Sequence, residues 1–288
     1  MSPHTLPADS PAASVLHRIP PFPMALIQIL QTCSAEEPSA TEIASSVAME
    51  EVLAAKVVRA ANGAHLGAAH TVNNVSDAVT RLGASAIRGM ASAYFLGNTF
   101  SGAYAHPILS REAMWRHNLA VAAASAGAAG PGPERANAYF AGLMHDVGKM
   151  VFAAELGGTY AECVAEAMIS GQDLMRVEVE RFGIDHAEMG AEAAKQWRFV
   201  PEIVEAIMRH HQVLGAGLLP SLASHVLVGN QVANDTGFSS VPNDTSQNAS
   251  AAPNMAASIG AGIMSRARWA LTNEMPRIEA ILHAIGDD

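Results

Sequence analysis

Tyr139-Phe140-Ala141-Gly142-Leu143-Met144-His145-Asp146-Val147-Gly148-Lys149-Met150-Val151-Phe152 is patterned for a single helix, and it carries an adjacent histidine and aspartate within an otherwise apolar run. His145 and Asp146 on the active face of such a helix can both reach one cluster. Lys149, four residues after His145, falls on the same face. Working outward, further histidines stand on or at the ends of other predicted helices: His117, His186 and the pair His210-His211. In an all-helical bundle, metal sites form where side chains of different helices converge on one interior point. Imidazole nitrogen with carboxylate oxygen is a donor set for Zn, Fe, Mn or Ni. With Asp146 bridging two cations and the histidines completing their shells, such a centre would lower the pKa of a bound water and clamp a phosphoryl oxygen. Lys149 could hold a phosphate as a point charge. Two readings of the cluster stand at this point: a metal centre, or a surface or helix-end polar pair that is merely hydrogen-bonded.

The rest of the chain supplies helices for such a bundle. After the residues preceding Pro20, rich in Pro, Ala and Ser, the positions Phe22, Leu26, Ile29 and Leu30 recur at helical spacing. Ser39 and Glu42 have the spacing of a capping box for a second helix, with Ile43 and Val47 inward. A third helix, about 50–61, is expected to stop at Asn62-Gly63 in a left-handed turn. Ser76 is a candidate cap for the next, and Gly83 is expected to close it before a longer helix runs to about residue 100. In the second half, Ser110 opens a helix containing Trp115, His117 and Leu119, which ends at the turn Gly130-Pro131-Gly132-Pro133. Residues from about 159 to 181 read as one helix broken at Gly183. Asp185 and Glu188 have cap spacing for a helix reaching Trp197, and Pro201 suits the first turn of a helix ending in His210-His211. A helix from about 218 to 234 leads into a polar stretch without periodicity, and Ile259, Ile263, Trp269, Ile278 and Leu282 restore helical patterning.

Bulk properties narrow the function. The chain has 288 residues, half of them hydrophobic but only 5% aromatic, which favours tightly packed helices over a sandwich of strands. A net charge of −10 offers no basic stripe for duplex nucleic acid, while a small anionic ligand in a local pocket remains compatible. Cys33 and Cys163 form no CxxC pair and are expected as small core residues in a reducing compartment. The beginning of the sequence lacks the pattern of a signal peptide. The most apolar run, Leu119 to Gly130, falls well short of the ~20 residues a bilayer requires. A soluble, cytoplasmic protein is expected. Met144, Met150, Met168, Met175 and Met189 read as core filler. The other histidines, at 4, 17, 65, 70, 106, 225 and 283, read as structural or surface residues.

Ala141-Gly142-Leu143-Met144-His145-Asp146-Val147-Gly148-Lys149 resembles the His-Asp motif of the HD superfamily. The segment from Gly183 through His186, and the run from Trp197 to His210-His211, are similar to the part shared by HD-GYP and HDOD proteins. Upstream, residues 19–24, 55–63 and 75–88 resemble the amino-terminal helices of HDOD, the HD-related output domain, so that the likeness spans about 15–235. The resemblance implies an all-α, two-lobed HDOD bundle. It places His117, His145, Asp146, His186, His210 and His211 where HD-GYP enzymes hold one or two divalent metals, and Lys149 where they carry a phosphate-facing lysine.

Three departures accompany it. No Gly-Tyr-Pro segment follows His211, Asn230 stands where HD enzymes present a last ligating aspartate, and Met49-Glu50-Glu51 replaces the Asp-Pro of many HDOD proteins. The organisation expected is a flexible lead-in over 1–18, an amino-terminal helical lobe over 19–104, an HD-like lobe over 105–236, a polar flexible loop over 237–254, and helices over 255–288 packed on the HD-like lobe. The function this implies is bacterial signal transduction through a protein partner or a small anionic or nucleotide ligand, without membrane or direct nucleic-acid contact and without required catalysis. The alternative is a metal-dependent phosphohydrolase or phosphodiesterase, with Asp146 and Lys149 in the catalytic roles.

Overall fold

In the computed structural model, residues 11–33, 38–63, 71–101, 106–212, 221–240 and 261–286 are described, and among them every regular element is a helix. The polar stretch expected as a loop lies mostly outside the described residues. The chain forms two compact units, one of residues 22–99 with 273–288, the other of 1–21 with 100–272.

The first unit is built from α2 (Met24–Cys33), α3 (Ala40–Ala48), α4 (Glu51–Ala61) and α5 (Val75–Thr99). Leu26, Ile29, Ile43, Val47, Leu53, Val57, Val79 and Leu82 bury their side chains at helical spacing, so the amphipathic stripes meet in one apolar core. Ser39 caps α3 by accepting from Glu42 N. Gly83 breaks α5 with φ 78°, a value a side chain would resist, so the expected interruption is realised as a kink.

Two expected signals resolve differently here. Asn62 does not end α4 in a left-handed turn; it has φ −97°, and its side chain holds Val72 from both sides, accepting from Val72 N and donating to Val72 O, each at 2.8 Å. The amide thereby ties the chain after the loop to the end of α4. The cap of α5 is Asn74, whose Oδ1 accepts from Asp77 N at 2.8 Å, in place of Ser76.

The second unit contains α1 (Pro11–Leu16), α6 (Arg111–Ala129), α7 (Glu134–Met144), α8 (Val147–Leu156), α9 (Gly158–Ser170), α10 (Leu174–Phe182), α11 (His186–Gln196), α12 (Pro201–Arg209) and α13 (Leu222–Asp235). Part of the lead-in read as loose is therefore helical. Ala12 and Val15 are fully buried, one turn apart, where α1 packs on α8 and α11, and Gln196 and Trp197 donate side-chain hydrogen bonds to Leu16 O and Pro20 O. The helix expected over 159–181 is interrupted at Gly171, φ 68°, and restarts at α10 with Asp173 as its cap. Asp185, Ser110 and Pro201 take the cap and first-turn positions expected of them.

The last helix, α14 (Ala261–Gly286), belongs to this unit as far as Thr272 and to the first unit from Asn273 onward. Trp269 is not part of its buried face, being 70% exposed, whereas Ala267, Ala270 and Leu271 are buried. The reason is the approach to α6: a Cβ on Gly127 would lie only 2.4 Å from the Ala270 Cβ, a gap that small side chains alone can fill.

Candidate metal centre

The site is assembled by close helix approaches in the second unit. α6 is buried on all sides, and glycines on its two neighbours let them reach its backbone. A Cβ on Gly142 of α7 would fall 2.7 Å from Ser125 Oγ, and one on Gly229 of α13 would fall 2.1 Å from the same atom. This brings His117 of α6 to the end of α7, where the Nε2 atoms of His117 and His145 are 3.1 Å apart.

The helix expected to run through the His-Asp pair in fact breaks there. α7 ends at His145, and Asp146, with φ −97° and ψ 15°, precedes α8. The break lets the two neighbours converge on one point, which a continuous helix would turn about 100° apart. Gly148 then admits α11, since a Cβ at that position would sit 1.9 Å from His186 O. α12 delivers His210 and His211 from its carboxyl end.

All the histidine and aspartate candidates meet around the Asp146 carboxylate. Oδ2 faces His117 Nε2 at 3.4 Å and His145 Nε2 at 3.5 Å; Oδ1 faces His186 Nε2 at 3.5 Å and His210 Nε2 at 3.4 Å. His211 Nε2 lies 2.9 Å from His186 Nε2. Asp146, His186, His210 and His211 offer one set of atoms mutually close enough for a metal ion, and His117, His145 and Asp146 offer another. Lys149 joins them, donating to Asp146 Oδ2 at 2.9 Å and to Ser240 Oγ at 3.3 Å. Asn230 is buried and accepts a hydrogen bond from Asn234.

Second bonds fix how the rings present themselves. The Nδ1 atoms of His117, His145 and His210 donate to the carbonyl oxygens of Phe238, Gly142 and Ile207 at 2.6, 2.7 and 2.6 Å. His186 Nδ1 donates to Glu178 Oε2 at 2.7 Å. A carbonyl or carboxylate only accepts, so Nδ1 carries hydrogen in all four and Nε2 is the inward atom. Burial pushes His145 and His211 well below the usual imidazole range, and His210 below it, which keeps these rings neutral with Nε2 as a lone pair. Burial works against charge on His186 too, but the Glu178 carboxylate prevails and holds it above its ordinary value. For Asp146, burial is outweighed by the Lys149 ammonium and His145, so the carboxyl stays ionised, well below its usual range.

The donor chemistry fits a metal. Asp146 Oδ1 and His210 Nε2 are buried, have no hydrogen-bond partner, and point at each other as two acceptors. Groups so placed are costly unless a cation lies among them.

Four residues at the site escaped the sequence reading. Glu178 is fully buried and accepts from Tyr160 Oη, His186 N and His186 Nδ1. A signal for it exists: a glutamate one turn from both Leu174 and Phe182 stands on the apolar face of α10. Tyr160, Ser240 and Gly148 give no such sign, because their roles depend on which helices meet.

The fold and this centre define an all-helical protein of HD type. The HDOD domain profile matches residues 19–213, and the chain belongs to the HDOD family. A structure of an HDOD domain protein of unknown function from Geobacter sulfurreducens superposes with a TM-score of 0.69 at 22% identity, covering 96% of each chain. One from Marinobacter aquaeolei VT8, named for signal transduction, gives 0.72 at 22% identity over 98% of this chain and 63% of its own. One from Shewanella amazonensis SB2B, named as a phosphohydrolase, gives 0.65 at 22% identity over 97% and 100%. At that identity the likeness is one of fold. An uncharacterized protein of Treponema pallidum (strain Nichols) is 24% identical over 211 residues, 70% of this chain but 40% of that protein's length.

Proposed function

We propose that this chain is a signal-transduction module whose HD-derived centre holds a divalent transition metal as a structural or sensing ion. It acts through non-covalent contacts with a protein partner or a small anionic, nucleotide-like ligand. The observation that carries this reading is the enclosure of the centre. His117, His145, Asp146, Lys149, His186 and His210 are all 0% exposed, and the lysine that would steady a phosphoryl group is turned onto Asp146. A hydrolase of this chemistry needs room for water and substrate at the ion. The residues that would hold the ion are Asp146, His186, His210 and His211, and the ion would supply a fixed positive charge that cross-links α8, α11 and α12. Support for a setting in signalling comes from the family and from the Marinobacter likeness.

A phosphohydrolase reading draws on the nearly complete imidazole-carboxylate set. Metal analysis of protein purified without a histidine tag, followed by phosphodiesterase and nucleotidase assays with Mn or Fe, separates the two. Bound metal without turnover is expected. Turnover that disappears in Asp146→Ala would overturn the regulatory reading, and absence of metal would overturn the metal centre. No helix among the described residues is long and apolar enough to cross a membrane; the proposed setting is the cytoplasm.

A further inference from the structure

The two oxygens of Asp146 are not equivalent. Oδ2 takes the Lys149 ammonium at 2.9 Å and the Ser240 hydroxyl at 3.4 Å, in addition to facing His117 and His145. Oδ1 receives no hydrogen bond and faces the Nε2 atoms of His186 and His210. On the Oδ2 side the wall is closed: the backbone carbonyl of Phe238 holds His117, Ser240 is 4% exposed, and the Arg116 guanidinium lies 5.5 Å over the Phe238 ring. On the Oδ1 side stands His211, the one partly exposed member of the cluster.

We infer that the centre is built for a single ion, held at Oδ1 by His186, His210 and His211, and that the Lys149 ammonium is the resident cation of the Oδ2 half. This rests on the metal-centre reading and specifies its stoichiometry. A divalent ion entering the His117/His145 half would have to bind a carboxylate oxygen that already carries an ammonium at hydrogen-bond distance. Two like charges would then share one oxygen in a pocket without solvent, where their repulsion is poorly screened. Displacing the ammonium is costly, because it is fully buried and would lose its bonds to both Asp146 and the Ser240 hydroxyl. Lys149 is thus a positioning residue: it pins Asp146 with Oδ1 turned toward the other three ligands, and it fills the second cation's place.

The test is the number of ions bound by the full chain, made without a tag, reconstituted with Mn²⁺, freed of excess metal and counted by mass spectrometry. Low-temperature electron paramagnetic resonance gives a second readout, because two Mn²⁺ ions sharing a carboxylate show a spin-coupled signal that one does not. The wild-type chain is expected to hold one ion, without coupling; Lys149→Gln, which removes the charge, is expected to hold two, with coupling. Two ions in the wild type, or one in a folded Lys149→Gln, would overturn the inference. Should that variant fail to fold, the histidines decide it: His117→Ala keeps the ion and His210→Ala loses it, and loss in His117→Ala overturns the assignment. No ion in the wild type removes the metal centre itself, a result distinct from finding two.

Discussion

The two units of this chain bury very different interiors. In the unit of residues 22–99 and 273–288, the buried polar residues described are Lys56 and Ser92, and the rest of the core is apolar and mostly aliphatic. In the other unit, histidines, an aspartate, a lysine and a glutamate occupy the centre of the packing with no exposure at all. The first interior is stabilised by removal of apolar surface from water, a force without direction that tolerates exchange of one aliphatic for another. The second depends on partners: each buried charge or ring is acceptable only while its neighbours stay in place. Substitutions of comparable size should therefore have unequal effects.

The largest contrast is expected at Asp146. Asp146→Ala strands the buried Lys149 ammonium and should lower unfolding free energy by about 3–5 kcal/mol, read from urea midpoints, besides abolishing metal binding. A loss below about 1 kcal/mol would mean the pair contributes little. Next is Gly148→Ala, whose added methyl would press on His186 O. A destabilisation of about 3 kcal/mol is expected, and metal content should fall with it because α11 must retreat. Unchanged metal content in that variant would show that His186 is not delivered by the α8 to α11 approach.

The pH response follows from the lowered histidines. His145, His210 and His211 bind protons less readily in the folded chain than their ordinary pKa near 6.5 allows when unfolded. The unfolded state therefore takes up more protons below that pH, and stability should fall by about 1.4 kcal/mol per pH unit for each such ring. His186, whose folded pKa is raised, contributes stability that is complete below 6.5 and lost as pH rises through its folded value, so it does not offset the acid loss. Urea titrations at successive pH values should show stability declining from pH 6.5 toward pH 5; a flat profile there would contradict neutral buried rings.

The smallest effect sharpens the comparison by matching two helix caps. Ser39→Ala removes a long cap contact in the aliphatic unit and should cost about 0.5 kcal/mol. Asp185→Ala removes the cap of the helix that starts with His186 and should cost about 1 kcal/mol. Only the second should weaken metal retention in a chelator competition. Equal retention in both would mean the two interiors are less distinct than their composition indicates.

Much of this was legible in the sequence because it rests on local rules. Ser39, Ser110, Asp185 and Pro201 mark helix starts through bonds and dihedral angles that belong to a few adjacent residues, and Gly83 marks its kink in the same way. The cluster of His117, His145, Asp146, His186, His210 and His211 was visible as residue types in order. What stayed hidden depends on distant partners. The break at Asp146 lies inside a stretch, 138–153, that is buried almost throughout, so no change of outward face marks it. Trp269 reads as core by type, yet it stays exposed while its neighbour Ala270 faces Gly127 of α6, a contact between distant parts of the chain that no local pattern announces. Ser240 is an ordinary loop serine until Lys149 is placed beneath it.

The contact that closes the centre also spans a long stretch of chain. Ser240 reaches Asp146 across 94 positions, and the Phe238 carbonyl reaches His117 across 121. Contacts of such separation are slow to form relative to helix growth, because the intervening chain must first be gathered. During synthesis, α6, α7 and α8 can associate while the wall over Lys149 does not yet exist. For that interval the Lys149 and Asp146 charges face water, so the cost of drying them falls late in folding, when Phe238 and Ser240 arrive.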